Sequence, residues 1–152
     1  MQTTNEYQHT QIGHLLVISH GAVLLVLAYL TVVTDFNPLV VAGLVTGLIV
    51  LALFAVLTVK VGDGVLKLQF GLGVIRKRFL LEEIRAYRVV KNPWYYGWGI
   101  KFTPRGWLFN VSGFSAIELE MTSGKTYRIG TDDPEGLAIA LGRALSHRRP
   151  RQ

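Results

Sequence analysis

The chain contains no cysteine among its 152 residues. This absence excludes disulfides, zinc–thiolate sites, iron–sulfur clusters and thiol catalysis. Charge is also scarce, since only 17% of the residues are charged, and residues 7–59 hold no Lys or Arg and only one acidic residue, Asp35. The four histidines show no paired spacing typical of metal ligands, so we predict neither a metal site nor a cofactor.

The charge that is present lies in the second part of the chain. All 16 Lys and Arg occur from Lys60 onward, together with eight acidic residues, so this part carries 16 − 8 = +8. Composition therefore divides the chain near residue 60 into an apolar part and a basic part. The length allows about one domain in addition to an anchor.

Two long apolar runs, residues 15–33 and 39–59, occupy the first part. As helices they would span about 28 and 31 Å, which matches a hydrocarbon core of about 30 Å. The polar segment 34–38 between them ends in Asn-Pro, which breaks a helix. A signal peptide would need a basic segment before the first run, and a soluble hairpin would need a polar face; the sequence shows neither. We predict a membrane-spanning helical hairpin.

Basic residues predict how this hairpin is oriented. Lys60 ends the second run and more Lys and Arg follow soon after it, whereas the turn at 34–38 has none. The positive-inside rule therefore places both termini in the cytoplasm. Gly43 and Gly47 form a GxxxG pair that is typical of close helix packing, with either the first helix or another copy of the chain as the partner. This motif is compatible with a homo-oligomer. His20 lies inside the first run, where an ionisable group suggests a function or a hydrogen bond to a neighbour.

The second part shows the patterns of short strands and turns. Leu66, Leu68 and Phe70 alternate with polar residues, and turn residues such as Gly62-Asp63-Gly64 recur along the chain. We predict seven or eight antiparallel strands in a barrel or sheet. An amphipathic helix over 133–146, with Asp132 or Asp133 as its cap, would close it. The predicted segments are a polar tail (1–14), two membrane helices (15–33 and 39–59), a β domain with its helix (59–146) and a basic tail (147–152).

Three segments carry a family resemblance: Gly97-Trp98-Gly99-Ile100, Arg105-Gly106-Trp107, and the closing run from Ile129 to Leu137. With the apolar hairpin before them, they make the chain similar to bacterial pleckstrin-homology-like domains that follow a two-helix membrane anchor. The resemblance covers residues 59–146. It implies a PH-like β domain in which these segments are a mid-domain strand, the next hairpin and the last strand before the helix. It also implies a location in the bacterial inner membrane.

Pleckstrin-homology domains that bind phosphoinositides use a basic pattern across their first hairpin, and Lys67 with Arg76-Lys77-Arg78 resembles that pattern. On a strand, Arg76 and Arg78 would share a face while Lys77 points away. A basic domain held beside an anionic leaflet gains about 1 kcal/mol for each basic residue near the surface. We therefore expect these four residues to contact membrane lipids, with a solvated basic face as the alternative.

An aromatic cluster, Trp94-Tyr95-Tyr96 and Trp98, stands out within the β domain. It could form a contact for a protein partner, sit at the headgroup level of a membrane, or pack partly under the sheet.

The sequence offers no arrangement typical of an enzyme. Glu82 and Glu83 would point to opposite faces of a strand, and Asp132 and Asp133 would cap a helix, so neither pair forms an acid–base site. No serine has a plausible set of His and Asp partners. Membrane tethering explains the basic charge, so we expect no nucleic-acid partner. We predict a non-enzymatic membrane-anchored module that binds a protein partner, the membrane surface, or both. The alternative is an accessory subunit of a transporter or channel that acts through its hairpin.

Overall fold

The computed structural model describes residues 7–147. Within them lie three α-helices, α1 (His14–Val33), α2 (Pro38–Phe54) and α3 (Pro134–Ser146). The strands of this range are β1 (Tyr7–Ile12), β2 (Val56–Gly62), β3 (Val65–Phe70), β4 (Ile75–Leu80), β5 (Ile84–Lys91), β6 (Gly99–Thr103), β7 (Gly106–Asn110), β8 (Ser115–Met121) and β9 (Thr126–Gly130). Short 3-10 turns cover Leu81–Glu83 and Trp94–Tyr96. The predicted basic tail lies outside the described residues, apart from His147.

The strands form two separate sheets. The first has the order β1-β2-β3-β4 and the second β5-β8-β9-β7-β6. The prediction of a β-rich domain followed by a helix is confirmed. The barrel is wrong, because the strands of residues 7–147 form two sheets and no closed barrel. Eight strands, β2 to β9, come from the segment in which seven or eight were predicted, and β1 is a ninth strand of the described residues. β7 pairs with β9 in parallel, so the strands are not all antiparallel.

The ninth strand comes from the segment predicted as a polar tail. Residues 7–12 form β1, which pairs antiparallel with β2 from Tyr7 opposite Val61 to Ile12 opposite Val56. Its most buried side chain is polar, since Gln11 is only 1% exposed. Because of this, residues 7–12 lack the alternation of apolar and polar residues that predicts a strand. As a consequence, the two apolar helices are inserted between two neighbouring strands of one sheet.

The second apolar helix is shorter than predicted. It begins at Pro38, where the Asn37 side chain accepts a hydrogen bond from the Leu39 amide at 3.0 Å, and it ends at Phe54 rather than at residue 59. From Val56 onward the chain belongs to β2, whose Leu57 and Val59 are buried in the core. A buried strand and a membrane helix are both apolar, so the composition of this run does not mark the boundary between them.

One hydrophobic core joins both sheets and α3. Phe79 of the first sheet packs against Tyr127 of the second with ring centroids 4.8 Å apart. Leu137 and Leu141 of α3 are fully buried against the same cluster. The Asp133 side chain caps α3 by accepting from the Gly136 amide at 3.0 Å, as the sequence predicts. The sheets and α3 are therefore one domain, and α1 and α2 pack mainly against each other.

Candidate functional site

The two apolar helices expose most of their large side chains. Leu25 of α1 is 74% exposed and Leu39 of α2 is 83% exposed, and similar residues lie around both helices. By length and composition, α1 is the one helix of the described residues that could cross a membrane; α2, with 17 residues, is a shorter apolar helix. Apolar surface of this extent on a soluble protein marks contact with a membrane or a partner.

The glycine pair of α2 lies against α1. A Cβ atom on Gly47 would lie 2.6 Å from Leu24 Cδ2, and one on Gly43 would lie 3.9 Å from Leu27 Cδ2. The His20 Nε2 is 3.1 Å from the Gly47 carbonyl oxygen, so the imidazole can donate a hydrogen bond across the hairpin. Both predicted features, the glycine pair of α2 and the histidine of α1, thus meet where the two helices pack against each other.

We expect Gly47→Ile to destabilise the hairpin, because the new side chain would overlap Leu24. Overpacking of this kind costs about 1–3 kcal/mol. Thermal unfolding of the full chain in detergent, followed by far-ultraviolet circular dichroism, measures the effect. Gly21→Ile is the matched control, since a Cβ atom there meets nothing within 4 Å. Equal losses in the two variants would contradict a packing role for Gly47.

The first sheet carries a cross-strand row of cations on its outer face. Lys60 is the register partner of Lys67, and Lys67 is the register partner of Arg78. We call these three residues the basic row. Arg76 lies on the same face, opposite Gln69, and its Nε donates to the Gly73 carbonyl oxygen at 2.5 Å. In the sequence, Lys60 indicates only the orientation of the hairpin; its place beside Lys67 follows from the register of β2 and β3.

The remaining predicted cation, Lys77, lies apart from the basic row. Its Nζ is 5.8 Å from the ring centroids of both Phe79 and Tyr127, so it covers aromatic residues at the edge between the sheets. Strand geometry separates it from Arg76 and Arg78, since successive side chains point to opposite faces.

Like charges placed directly opposite one another destabilise a sheet. The four strands of the first sheet, all within the described residues, contain no Asp or Glu. The described ion pairs also leave Lys60, Lys67 and Arg78 without a carboxylate partner. Such a row would be stabilised by an external anion.

The structure divides the aromatic cluster into two pairs. Trp94 and Tyr95 are 77% and 66% exposed, whereas Tyr96 and Trp98 are half-buried. The Tyr96 ring lies over the Arg128 guanidinium, with 5.9 Å from Cζ to the ring centroid. Trp98 packs near Phe114, with their ring centroids 6.5 Å apart. Only Trp94 and Tyr95 thus present most of their surface to an external partner.

A buried ion cluster lies beneath Tyr96, and sequence reasoning missed it. Arg128 Nε donates to Glu118 Oε2 at 2.7 Å, and both side chains are at most 8% exposed. Arg88 pairs with the other Glu118 oxygen, and Arg128 Nη1 donates to Asn92 Oδ1 at 3.0 Å. The hairpin turn at Thr122–Gly124 contained the signal, because it places residue 118 opposite residue 128.

Burial by itself raises the pKa of the Glu118 carboxyl, but hydrogen bonds and charge from Arg88 and Arg128 outweigh it. The pKa of Glu118 is therefore held below its ordinary value. In contrast, burial and then the hydrogen bond to Asp133 raise the pKa of the Tyr7 phenol. Both sets of interactions are structural: the Glu118–Arg128 pair joins β8 to β9, and the Tyr7–Asp133 hydrogen bond joins β1 to the start of α3.

A cleft of about 510 Å³ lies on the outer side of the second sheet, beside this ion cluster. Its walls combine aromatic residues with charges of both signs, including Trp107, Arg105 and Glu120. Among residues 7–147, no group of three His, Asp or Glu is arranged to hold a metal ion.

Comparison with known proteins adds no relative. No family model, no curated protein and no solved structure matches this chain.

Proposed function

We propose that this chain is a non-enzymatic, membrane-anchored binding module, with α1 and α2 in the bilayer and a PH-like β domain at the cytoplasmic membrane surface. The observation that supports this best is the exposed apolar surface of both helices, which extends over the whole hairpin. Water does not favour such a surface, and a bilayer does. At 17 residues, α2 would span about 26 Å, so its ends would lie close to the headgroups.

The connections between the hairpin and the β domain are short at both ends. Gly13 is the one residue between β1 and α1, Ala55 is the one residue between α2 and β2, and the Gly13 amide donates to the Ala55 carbonyl oxygen at 2.8 Å. Because β1 and β2 are paired, residues 7–12 and the β domain must lie on the same side of the membrane. This agrees with both termini in the cytoplasm, the orientation that the positive-inside rule favours.

The ligand of this module would be the anionic lipid surface, contacted by the basic row and Arg76. Cations near an anionic leaflet each contribute about 1 kcal/mol, and the basic row lacks internal carboxylate partners among the described residues. Lys77 would contribute less to lipid binding, since its ammonium group lies over the rings of Phe79 and Tyr127.

We expect the triple variant Lys60→Gln, Lys67→Gln and Arg78→Gln to weaken binding to anionic vesicles on the order of 100-fold, because about 3 kcal/mol is lost. Co-sedimentation with phosphatidylglycerol vesicles measures it, using a domain in which Asn-Gly replaces residues 13–55. High salt should weaken the parent domain similarly.

The matched control replaces three exposed cations elsewhere on the domain with Gln: Arg85, Arg105 and Lys125. It removes the same charge but leaves the basic row intact. An equal loss in both triple variants would show that only net charge matters and would refute a role for the basic row.

Crosslinking of the full chain in native membranes tests the rival functions. Protein partners captured through Trp94 or Tyr95 would favour a protein-binding module. Partners captured only through α1 and α2 would favour an accessory subunit of a transporter or channel.

A further inference from the structure

We infer that one end of the β domain is immersed in the membrane interface, so that the domain contacts lipid through loops as well as through its basic row. This inference rests on the proposed membrane anchoring. The loops concerned are residues 71–74, 92–98 and 111–114, which we call the proximal loops. They would fix the orientation of the β domain relative to the bilayer.

A chain of contacts places all three proximal loops at the end of the domain where the helices emerge. The Gly71 amide donates to the Val56 carbonyl oxygen at 2.8 Å, and a Cβ atom on Gly71 would collide with the last turn of α2. The 111–114 loop approaches the start of α1, where a Cβ atom on Gly13 would lie 2.5 Å from the Val111 oxygen.

The aromatic loop is attached to the same end. The Asn92 amide donates to the Phe114 carbonyl oxygen at 2.6 Å. The Asn110 Nδ2 donates to the Gly97 carbonyl oxygen at 3.2 Å and to the Gly113 carbonyl oxygen at 3.3 Å. Residues 92–98 therefore lie beside 111–114, and through this loop beside the helices.

The three proximal loops differ sharply in charge from the opposite end of the domain. Asp132 and Asp133 follow the proximal end of β9, but they are hydrogen-bonded to His9 and Tyr7. The proximal loops contain no Asp, Glu, Lys or Arg at any position. The opposite end consists of four turns, 62–64, 81–83, 104–105 and 122–125, which we call the distal turns. Each distal turn carries at least one charge: Asp63, Glu82 and Glu83, Arg105, and Lys125. Hydrogen bonds join three of these turns, from the Leu81 amide to the Gly64 carbonyl oxygen at 3.0 Å and from the Thr122 amide to the Glu83 carbonyl oxygen at 2.8 Å.

The proximal loops instead expose large apolar and aromatic side chains: Leu72 (79%), Val74 (74%), Trp94 (77%), Tyr95 (66%) and Phe114 (49%). Trp and Tyr are enriched at the level of lipid headgroups. Arg76 and Lys91 flank these loops, next to the apolar residues, where they would meet lipid phosphates. Uncharged apolar tips with flanking cations, continuous with an apolar hairpin, fit an anionic lipid interface.

The absence of native cysteine makes single-cysteine labelling a clean test. Nitroxide would be attached in four full-length variants, Leu72→Cys, Trp94→Cys, Val26→Cys in the middle of α1, and Glu82→Cys in a distal turn. Each would be reconstituted into vesicles of phosphatidylethanolamine and phosphatidylglycerol. Electron paramagnetic resonance then compares accessibility to oxygen, which concentrates in lipid, with accessibility to a water-soluble nickel chelate.

We expect labels at 72 and 94 to report immersion about 5–10 Å below the headgroup surface. The label at 82 should lie in water and the label at 26 should lie deeper than all others. Labels at 72 and 94 that match the one at 82, with 26 still deep, would overturn this inference and leave the anchoring intact. A label at 26 in water would refute the anchoring itself. Protection of 72 and 94 from both reagents would indicate a protein contact and would also overturn the inference.

Discussion

Replacing residues 13–55 with Asn-Gly is expected to give a folded, water-soluble β domain. Ile12 and Val56 are opposite each other in the register of β1 and β2, so a two-residue loop can join them directly. Asn-Gly is the preferred sequence for the tight turn that connects antiparallel strands. The exchange removes the exposed apolar helices but keeps all nine strands of the described residues.

A fragment that begins at residue 59 is the informative comparison, because it lacks β1 and the first three of the seven residues of β2. It also removes Gln11, whose side chain donates to the Gly130 carbonyl oxygen at 2.5 Å and accepts from the Asp132 amide at 3.1 Å. Each buried group left without its partner costs about 1–3 kcal/mol. We expect this fragment to aggregate or to unfold well below the Asn-Gly variant.

Gel filtration without detergent and thermal unfolding by circular dichroism measure both proteins. A monomeric Asn-Gly variant with a cooperative transition is the expected result. If both proteins are monomeric and unfold at the same temperature, then β1 does not stabilise the domain, contrary to what its pairing with β2 indicates.

Glu118→Ala is expected to lower the free energy of unfolding by about 3–5 kcal/mol at neutral pH. The substitution leaves the buried Arg128 guanidinium without its carboxylate, and an unpaired buried charge is strongly destabilising. Denaturant unfolding of the Asn-Gly variant measures the difference. The matched control is Arg85→Ala, which breaks the exposed Arg85–Glu120 pair at 3.4 Å in the same sheet. That control should change stability by about 0–1 kcal/mol.

The same difference should depend on pH. The folded-state pKa of Glu118 lies below its unfolded value of about 4.3, so the stabilising charge is fully present above that pH. It is lost as the pH falls through the folded-state pKa. The gap between parent and Glu118→Ala should therefore stay constant from neutral pH down to about pH 4.3 and shrink as the pH falls further. A gap that stays constant over the whole range would mean that Glu118 stabilises the domain by packing rather than by charge.

Much of the fold could be predicted from the sequence because its signals are local. The Asn37-Pro38 start of α2, the Asp133 cap of α3 and the Asp63-Gly64 turn each depend on residues a few positions apart. The alternation in Leu66, Leu68 and Phe70 was sufficient to predict β3. Errors arose where local signals were misleading. The buried residue of β1 is the polar Gln11, so the strand was predicted as a tail, and the apolar start of β2 was predicted as part of the second helix.

The candidate surfaces show the same division. The basic residues and the aromatic cluster were recognised as unusual from sequence alone. The basic row and the ion cluster were not predictable, because each depends on a register across three strands. The aromatic loop lies beside the helices only because Gly97 and Asn92 hydrogen-bond to Asn110 and Phe114, which are 13 and 22 positions further along the chain.

By itself, the sequence determined the absence of thiol chemistry, the division into an apolar and a basic part, and the cap and turn positions, because composition and short-range propensity fix these properties. Only the tertiary structure decided that the helices interrupt a sheet, that Glu118 and Arg128 are buried together, and that three uncharged loops lie near the point where the helices emerge. Each of these depends on contacts between residues far apart in the chain. Such contacts follow from strand register and from the packing of the two sheets around one core, neither of which local patterns encode.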